Sequence, residues 1–166
     1  MNTGEELGTK GAPEPKAIHS ARTVLVVEDN DNDAALLKLM FRRSRILNPI
    51  QAVTSLQDAI CYLKGEGDFA DRTMFPFPTL LLVDSHLPDG SGFDLLRWLQ
   101  QHKALAPLAV VMLTGSDVHA FKTSYDLGAH SFLTKPLKFP DFENMVQGVR
   151  GIKLTSTPDG YLLELE

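Results

Sequence analysis

The sequence predicts an α/β protein in which five strand–helix units, (βα)5, build a doubly wound, five-stranded parallel sheet. Five apolar segments begin at residues 23, 50, 79, 109 and 131, and these intervals suit a strand followed by a helix. Three of the segments are almost continuously apolar, which is typical of strands that helices cover on both faces. The stretches between the segments carry apolar residues at helical spacing.

The predicted strands alternate with five predicted helices along the chain. The strands are predicted at Thr23–Val27, Ile50–Val53, Thr79–Val83, Ala109–Leu113 and Ser131–Thr134. The helices are predicted from apolar stripes: Ala34, Leu37 and Phe41; Leu56, Ala59, Ile60 and Leu63; Leu95, Leu96 and Leu99; Phe121 and Tyr125 within 117–127; and Phe142, Met145, Val146, Val149 and Ile152 within 140–152. Parallel strands joined in this way end at one common edge of the sheet, where we expect the functional site.

The two ends of the chain depart from this pattern. Residues 1–21 are poor in large apolar side chains and are predicted to form a flexible N-terminal tail, whereas residues 22–152 form the predicted domain. Residues 153–166 are predicted to be a C-terminal tail or arm, in which Pro158-Asp159-Gly160 favours a turn. This segment is either a frayed end or an arm that packs on its own fold or on a second copy, so a homodimer is one option.

The composition restricts both the fold and the function. The chain has 166 residues, a net charge of −5 and a pI of about 5.5, which suits one domain and disfavours binding to DNA through a basic face. Cys61 is the only cysteine, so an intrachain disulfide and a zinc site built on cysteines are excluded. We recognise neither an apolar stretch near the roughly 20 residues of a membrane span nor a secretory signal, so a cytoplasmic location is expected.

Charged and polar side chains follow four of the predicted strands. Glu28 and Asp29 follow the first, Asp84 the third, Thr114 the fourth and Lys135 the fifth. Each of these short motifs alone is typical of a turn or a helix cap. Together they bring carboxylates that suit Mg²⁺, an Asp that can attack phosphorus, and an amine and a hydroxyl that can bind phosphoryl oxygens.

Four segments carry a resemblance to a known family: VLVVEDN (24–30), LLLVDSHLPDGSGFDLL (80–96), VVMLTGS (110–116) and GAHSFLTKPL (128–137). They resemble the receiver domain of bacterial response regulators, the CheY-like and flavodoxin-like fold of two-component signalling. The resemblance covers residues 22–152. Two further stretches, GEGDFADRTMFPFPTLLLVD and SYDLGAHSFLTKPLKFPDFENMV, are similar to the single-domain, Rcp1-like regulators associated with phytochromes.

The resemblance implies a Mg²⁺-dependent phosphoacceptor and not an enzyme with a separate substrate, although such a domain promotes its own phosphorylation and dephosphorylation. The phosphoryl donor would be a sensor histidine kinase, of the phytochrome type or another, or a phosphotransfer protein. The face formed by residues 114–152 would then bind a downstream protein target. The implied residues are Asp84 as phosphoacceptor; Glu28, Asp29, Asp84 and the backbone carbonyl of His86 as metal ligands; Thr114, Lys135 and Phe132 for phosphate binding and switching; and Pro88, Gly92 and Pro136 as structural residues, with a cis Lys135–Pro136 bond.

Other functions are weighed against this one. The alternative is a receiver-fold binding module that works without phosphorylation, but such modules typically lose one of the five strand-end residues. A dehalogenase-type phosphatase would need a second Asp two residues after its nucleophile, whereas His86 stands there. A flavin carrier is disfavoured because Asn30–Asp33 is acidic. After Lys135 the sequence looks too short for an output domain, and the role of the His86 side chain stays open.

Overall fold

The computed structural model describes residues 22–105, 107–115 and 118–166, so the predicted tail 1–21 lies outside the described residues. The elements follow one another as β1 (Val24–Val27), α1 (Asp31–Arg43), β2 (Ile50–Val53), α2 (Leu56–Lys64), β3 (Leu80–Asp84), β4 (His86–Leu87), β5 (Gly90–Ser91), α3 (Gly92–Gln101), β6 (Ala109–Thr114), α4 (Val118–Asp126), β7 (Ser131–Thr134), α5 (Phe139–Gly148), β8 (Ile152–Thr157) and β9 (Gly160–Leu165). In this part of the chain, no helix is long and apolar enough to cross a membrane.

The central sheet has five parallel strands in the order β2-β1-β3-β6-β7. Successive strand residues point to opposite faces: Val24 and Val26 pack with α1 and α5, whereas Leu25 and Val27 pack with α2 and α3. The strands β1, β3 and β6 are buried along their whole length. The predicted doubly wound, five-stranded parallel fold is therefore confirmed, and the continuous apolar runs are explained by helices on both faces.

The prediction of one helix over 140–152 is wrong at its C-terminal end. Helix α5 ends at Gly148, Val149 is extended, and Gly151 has a φ of +88°, a conformation that L side chains rarely adopt. Val149 and Ile152 are nevertheless buried, because β8 turns back over α5. Because both residues are apolar and fall at helical spacing after Val146, the sequence pattern extended the predicted helix past the point where the backbone changes direction.

The C-terminal residues form a hairpin that packs on the domain itself. Strands β8 and β9 pair antiparallel, and Leu163 is 0% exposed within the core beneath α1 and α5. The Tyr161 N–H donates to the Arg45 carbonyl at 2.7 Å, and the Leu47 N–H donates to the Tyr161 carbonyl at 2.8 Å. A Cβ at Gly160 would collide with the Arg45 carbonyl oxygen, so only glycine allows this approach.

The long loop between α2 and β3 is ordered by one arginine. Arg72 donates to the carbonyls of Tyr62 and Leu63 at the end of α2, at 2.7 and 2.8 Å, and to the carbonyl of Phe75 at 3.1 Å. The Leu63 carbonyl lies in the last turn of α2, where carbonyls lack partners within the helix. The Tyr62 hydroxyl is buried and donates to Pro76, and desolvation raises the pKa of Tyr62 to about 12. The sequence of this stretch did not predict the role of Arg72.

Candidate phosphoacceptor site

The strand topology brings the predicted site residues to one edge of the sheet. Strand β1 lies between β2 and β3, so the chain order reverses at the β1–β3 gap, where α/β sheets bind ligands. Glu28 follows β1, Asp84 ends β3, Thr114 ends β6 and Lys135 follows β7. All four therefore lie at the carboxyl ends of their strands, as the sequence predicted for the sheet edge.

The Lys135 ammonium is the centre of the site. Its Nζ lies 2.7 Å from Glu28 Oε2, 2.7 Å from Asp84 Oδ2 and 2.9 Å from Asp33 Oδ2. An ammonium has three N–H donors, so each carboxylate takes one of them. Glu28 and Asp84 are buried, and the lysine is mostly buried as well. This ion-pair cluster joins β1, α1, β3 and β7.

Asp33 was not among the predicted site residues. It lies in the first turn of α1, where Asn30 caps the helix by accepting the Asp33 N–H at 3.0 Å. Because α1 starts directly after β1, an acidic side chain in this turn lies near the carboxyl edge of the sheet. That placement was visible in the sequence, but an Asp near a helix N-terminus is common for electrostatic reasons alone.

The two buried carboxyl groups have shifted pKa values of opposite direction. Burial raises the pKa of Glu28 above its ordinary value of 4.5, and the neighbouring Asp84 adds to this rise against the opposing effect of Lys135. Burial alone would also raise the pKa of Asp84, but hydrogen bonds from Lys135 and from the His86 N–H hold it below 3.8. The pKa of Lys135 is raised, because its three carboxylate partners outweigh desolvation. These contacts therefore favour the ionised form of the Asp84 carboxylate.

The backbone around Asp84 fixes the orientation of its carboxylate. The His86 N–H donates to Asp84 Oδ1 at 3.1 Å, leaving Oδ2 for Lys135. Gly92 packs directly against the backbone of Asp84, so closely that a Cβ at this position would collide with the Asp84 carbonyl oxygen. The exposed His86 ring is hydrogen-bonded to Ser85 Oγ at 3.0 Å, and Ser85 Oγ lies 3.5 Å from Asp84 Oδ1. The His86 side chain is therefore linked to the Asp84 carboxylate through Ser85.

The loop after Asp84 is a small hairpin, β4 paired with β5, that turns at Pro88 and Asp89. The Asp89 carboxylate accepts the N–H groups of Leu56 and Gln57 at 2.8 and 3.0 Å, and so caps α2 together with Ser55. Pro88 is exposed at the turn. The loop after Asp84 is thereby tied to α2 as well as to β3.

Thr114 and Phe132 lie on the side of the site nearest α4. The Thr114 hydroxyl is buried and donates to the Gly115 carbonyl at 2.8 Å, and the Thr114 carbonyl accepts the Lys135 N–H at 3.0 Å. Phe132 stacks on Phe121 of α4 with ring centroids 3.9 Å apart. The Lys135–Pro136 peptide bond is cis. The structure places Thr114 beside Lys135 through the backbone and Phe132 against α4.

Three carboxylates could hold a divalent cation. Oxygens of Glu28, Asp29 and Asp84 all lie within 4.8 Å of one another, and Asp29 is exposed. Mg²⁺ prefers oxygen ligands and usually keeps several waters when it binds to a protein. The exposed Asp29 leaves one side of the site open to such waters. The donor set therefore fits a hard divalent cation such as Mg²⁺.

Residues 24–147 match the family model described as the response regulator receiver domain. The chain belongs to the response regulator receiver family. This receiver is also 31% identical to the response regulator Rcp1 of Synechocystis over 80% of its own length and 89% of that protein. The predicted resemblance, including the Rcp1-like subgroup, is confirmed.

Solved structures support the same assignment. The receiver matches the bacteriophytochrome response regulator AtBRR with a TM-score of 0.70 and 30% identity, covering 77% of this chain and 91% of that one. It matches the phosphorylated cyanobacterial phytochrome response regulator RcpA at 0.63 and 27%, over 77% and 86% of the two chains. It matches the Mn²⁺-bound form of Rcp1 at 0.62 and 29%, over 76% and 90%.

Proposed function

We propose that this receiver accepts a phosphoryl group on Asp84 in a Mg²⁺-dependent transfer from a phosphohistidine. The observation that carries the proposal is the Lys135 ammonium, which is hydrogen-bonded to both Glu28 and Asp84 at the carboxyl edge of the sheet. This arrangement keeps an ionised nucleophile beside the Lys135 ammonium. After the transfer, the same ammonium can bind an oxygen of the phosphoryl group. Among related proteins, RcpA is described as phosphorylated, which supports this chemistry.

The transfer forms one bond and breaks another. An oxygen of the Asp84 carboxylate attacks phosphorus, and the phosphorus–nitrogen bond to the donor histidine breaks, leaving the nitrogen with the electron pair. Lys135 donates to one phosphoryl oxygen, and the Thr114 hydroxyl turns from the Gly115 carbonyl to another. Mg²⁺ held by Glu28, Asp29, Asp84 and the backbone carbonyl of His86 would neutralise charge on the phosphoryl oxygens.

The same step supplies a switch. Phosphorylation adds about −1.5 to −2 charge units and new acceptor oxygens next to Lys135. As Thr114 moves toward the phosphoryl group, Phe132 can leave its stack on Phe121 and turn inward. The surface formed by residues 114–152 then changes shape, and we assign to it the binding of a downstream protein.

The proposed donor is a sensor histidine kinase of the phytochrome type. The names of the matched proteins AtBRR and RcpA support this, since both are described as phytochrome response regulators. We also propose a cytoplasmic location for this receiver, where it would meet such a kinase. A homodimer is not needed to cover the apolar hairpin residues Ile152 and Leu163, because they are buried within this chain.

Intact-mass spectrometry after incubation with acetyl phosphate and Mg²⁺ tests the proposal. We expect the wild-type chain to gain one phosphoryl group and the Asp84→Asn variant to gain none. A chelator should abolish the gain in the wild type. Equal phosphorylation of both chains would remove Asp84 as the acceptor, and no gain in the wild type at saturating Mg²⁺ would contradict the proposed function.

A further inference from the structure

One carboxylate bound to Lys135 lies outside the set that fits a metal. The ammonium bonds to Glu28, Asp33 and Asp84, whereas the three carboxylates that could share a cation are Glu28, Asp29 and Asp84. We propose that Asp33 is a positioning residue that holds Lys135 in the site while Glu28 and Asp84 engage the metal and the phosphoryl group. This proposal rests on the phosphoacceptor function and adds a residue to its machinery.

The local structure of α1 gives Asp33 a fixed place. The Asn30 side chain accepts the Asp33 N–H at 3.0 Å, so the backbone of Asp33 is held in the first helical turn. From there its Oδ2 reaches Lys135 Nζ at 2.9 Å. The Asp33 side chain is 37% exposed, so holding its charge costs little desolvation compared with the buried Glu28. Asp33 is thus the one accessible anchor for the ammonium in the cluster.

The proposed role follows from competition for the same oxygens. Lys135 and a divalent cation both seek oxygens of Glu28 and Asp84. While Asp33 accepts one of the three N–H groups of the ammonium, Lys135 can weaken its hydrogen bonds to Glu28 and Asp84 without leaving the site. Without Asp33, the lysine charge would fall entirely on the two metal ligands. Replacing Asp33 should therefore weaken cation binding.

A second effect has the same sign and must be separated from the first. Removing any negative charge near the site lowers its attraction for a cation, with or without Lys135. Asp31 offers a matched control, because it is an exposed Asp in the same helical turn and is not one of the three carboxylates that Lys135 contacts in the described chain. A double-mutant cycle with Lys135 then isolates the part that passes through the lysine.

The test is a calorimetric titration of Mg²⁺ into the full chain and its variants at fixed ionic strength. We expect Asp33→Asn to raise the Mg²⁺ Kd about 3- to 10-fold, a coupling typical of groups in direct contact, and Asp31→Asn to raise it less than about 2-fold. In a Lys135→Gln background, the effect of Asp33→Asn should fall to that of Asp31→Asn. Thermal unfolding of each metal-free variant confirms that it is folded.

Two results would overturn the positioning role. One is an equal effect of the Asp33 and Asp31 substitutions in the wild-type background. The other is an undiminished effect of Asp33→Asn when Lys135 is absent, which would make Asp33 a simple charge. If instead the wild type takes up no phosphoryl group from acetyl phosphate, the proposed function fails. If the wild type is phosphorylated and the cycle shows no coupling, only the role of Asp33 fails.

Discussion

The two edges of the central sheet are closed in opposite ways. At the carboxyl edge, one ammonium bridges three carboxylates, and the buried Glu28 has a raised pKa. At the opposite edge, where the strands begin and which we call the amino edge, the C-terminal hairpin covers the sheet. There the uncharged Asn48 side chain forms hydrogen bonds with backbone groups of its neighbours. Asn48 Nδ2 donates to the carbonyls of Arg22 and Leu163 at 2.7 and 3.0 Å, and Asn48 Oδ1 accepts the Leu163 N–H at 2.7 Å.

The difference separates stability from function in this fold. At the amino edge, Asn48 forms neutral hydrogen bonds and Leu163 packs in the apolar core, so these two residues bring no charge that must be compensated. The carboxyl edge keeps crowded charges, of which the buried Glu28 costs stability, and a cation and a phosphoryl group would rebalance them. Substitutions at the amino edge should therefore affect folding and spare phosphorylation, whereas substitutions in the charged cluster at the carboxyl edge should do the reverse.

The largest effect is expected from the apolar contact of the hairpin. Leu163→Ala removes a fully buried side chain from the core, and we expect it to lower the free energy of unfolding by about 2–5 kcal/mol in a urea titration. Leu165→Ala is the control, since Leu165 is 42% exposed in the same strand. Equal losses from the two variants would mean that the hairpin does not pack on the core as described.

The next effect concerns the polar anchor of the same edge. Asn48→Ala leaves the Leu163 N–H and carbonyl without their partner, which should cost about 1–3 kcal/mol in the free energy of unfolding. The variant should still gain one phosphoryl group from acetyl phosphate, measured by intact mass where it is folded. Loss of phosphorylation in a folded Asn48→Ala protein would show that the two edges are coupled.

A smaller effect is expected where Asp89, in the loop between β4 and β5, caps α2. Asp89→Ala removes the acceptor of the Leu56 and Gln57 N–H groups, and we expect a loss of about 1 kcal/mol by urea denaturation. Asp68→Ala, at an exposed acidic residue outside this contact, should change stability by less than about 0.5 kcal/mol. An Asp89→Ala chain as stable as the wild type would contradict the capping role.

The smallest change should have the opposite sign. Folding raises the pKa of Glu28, so its ionised form costs stability at pH 7, and this cost fades as the pH falls through the raised pKa toward 4.5. Glu28→Gln should therefore unfold at a slightly higher temperature than the metal-free wild type at pH 7. The gain should shrink as the pH is lowered. A variant that is less stable at pH 7 would show that the Lys135 pair outweighs desolvation.

Sequence patterns predicted the sheet and its functional edge because both depend on regular features. Continuous apolar runs marked the buried strands, and parallel strands bring Glu28, Asp84 and Lys135 to one edge whatever the details of the loops. The amino edge was less predictable. Ile152 continued the apolar spacing of α5, although the helix had already ended at Gly148, and nothing local indicated that Leu163 pairs with Asn48. Contacts between residues more than 100 positions apart leave no periodic signal.

Asp33 shows the same limit within the site. A first-turn Asp is explained by the helix N-terminus alone, and only the folded structure shows that its carboxylate reaches Lys135 after β7. Arg72 is similar, because its role depends on how the α2–β3 loop folds back over the end of α2. Strand ends could be predicted one by one, whereas side chains that meet across different elements required the folded structure.

Locating the acyl phosphate tests the central claim most directly. The protein is phosphorylated with acetyl phosphate and Mg²⁺ and treated with borohydride, which reduces an aspartyl phosphate to homoserine. Peptide mass mapping then finds the altered residue. We expect homoserine at position 84 in the wild type and in the Asn48→Ala protein. We expect no homoserine in any peptide of the Asp84→Asn protein. Homoserine at position 29 or at any other aspartate instead of 84 would contradict the assignment of Asp84 as the phosphoacceptor.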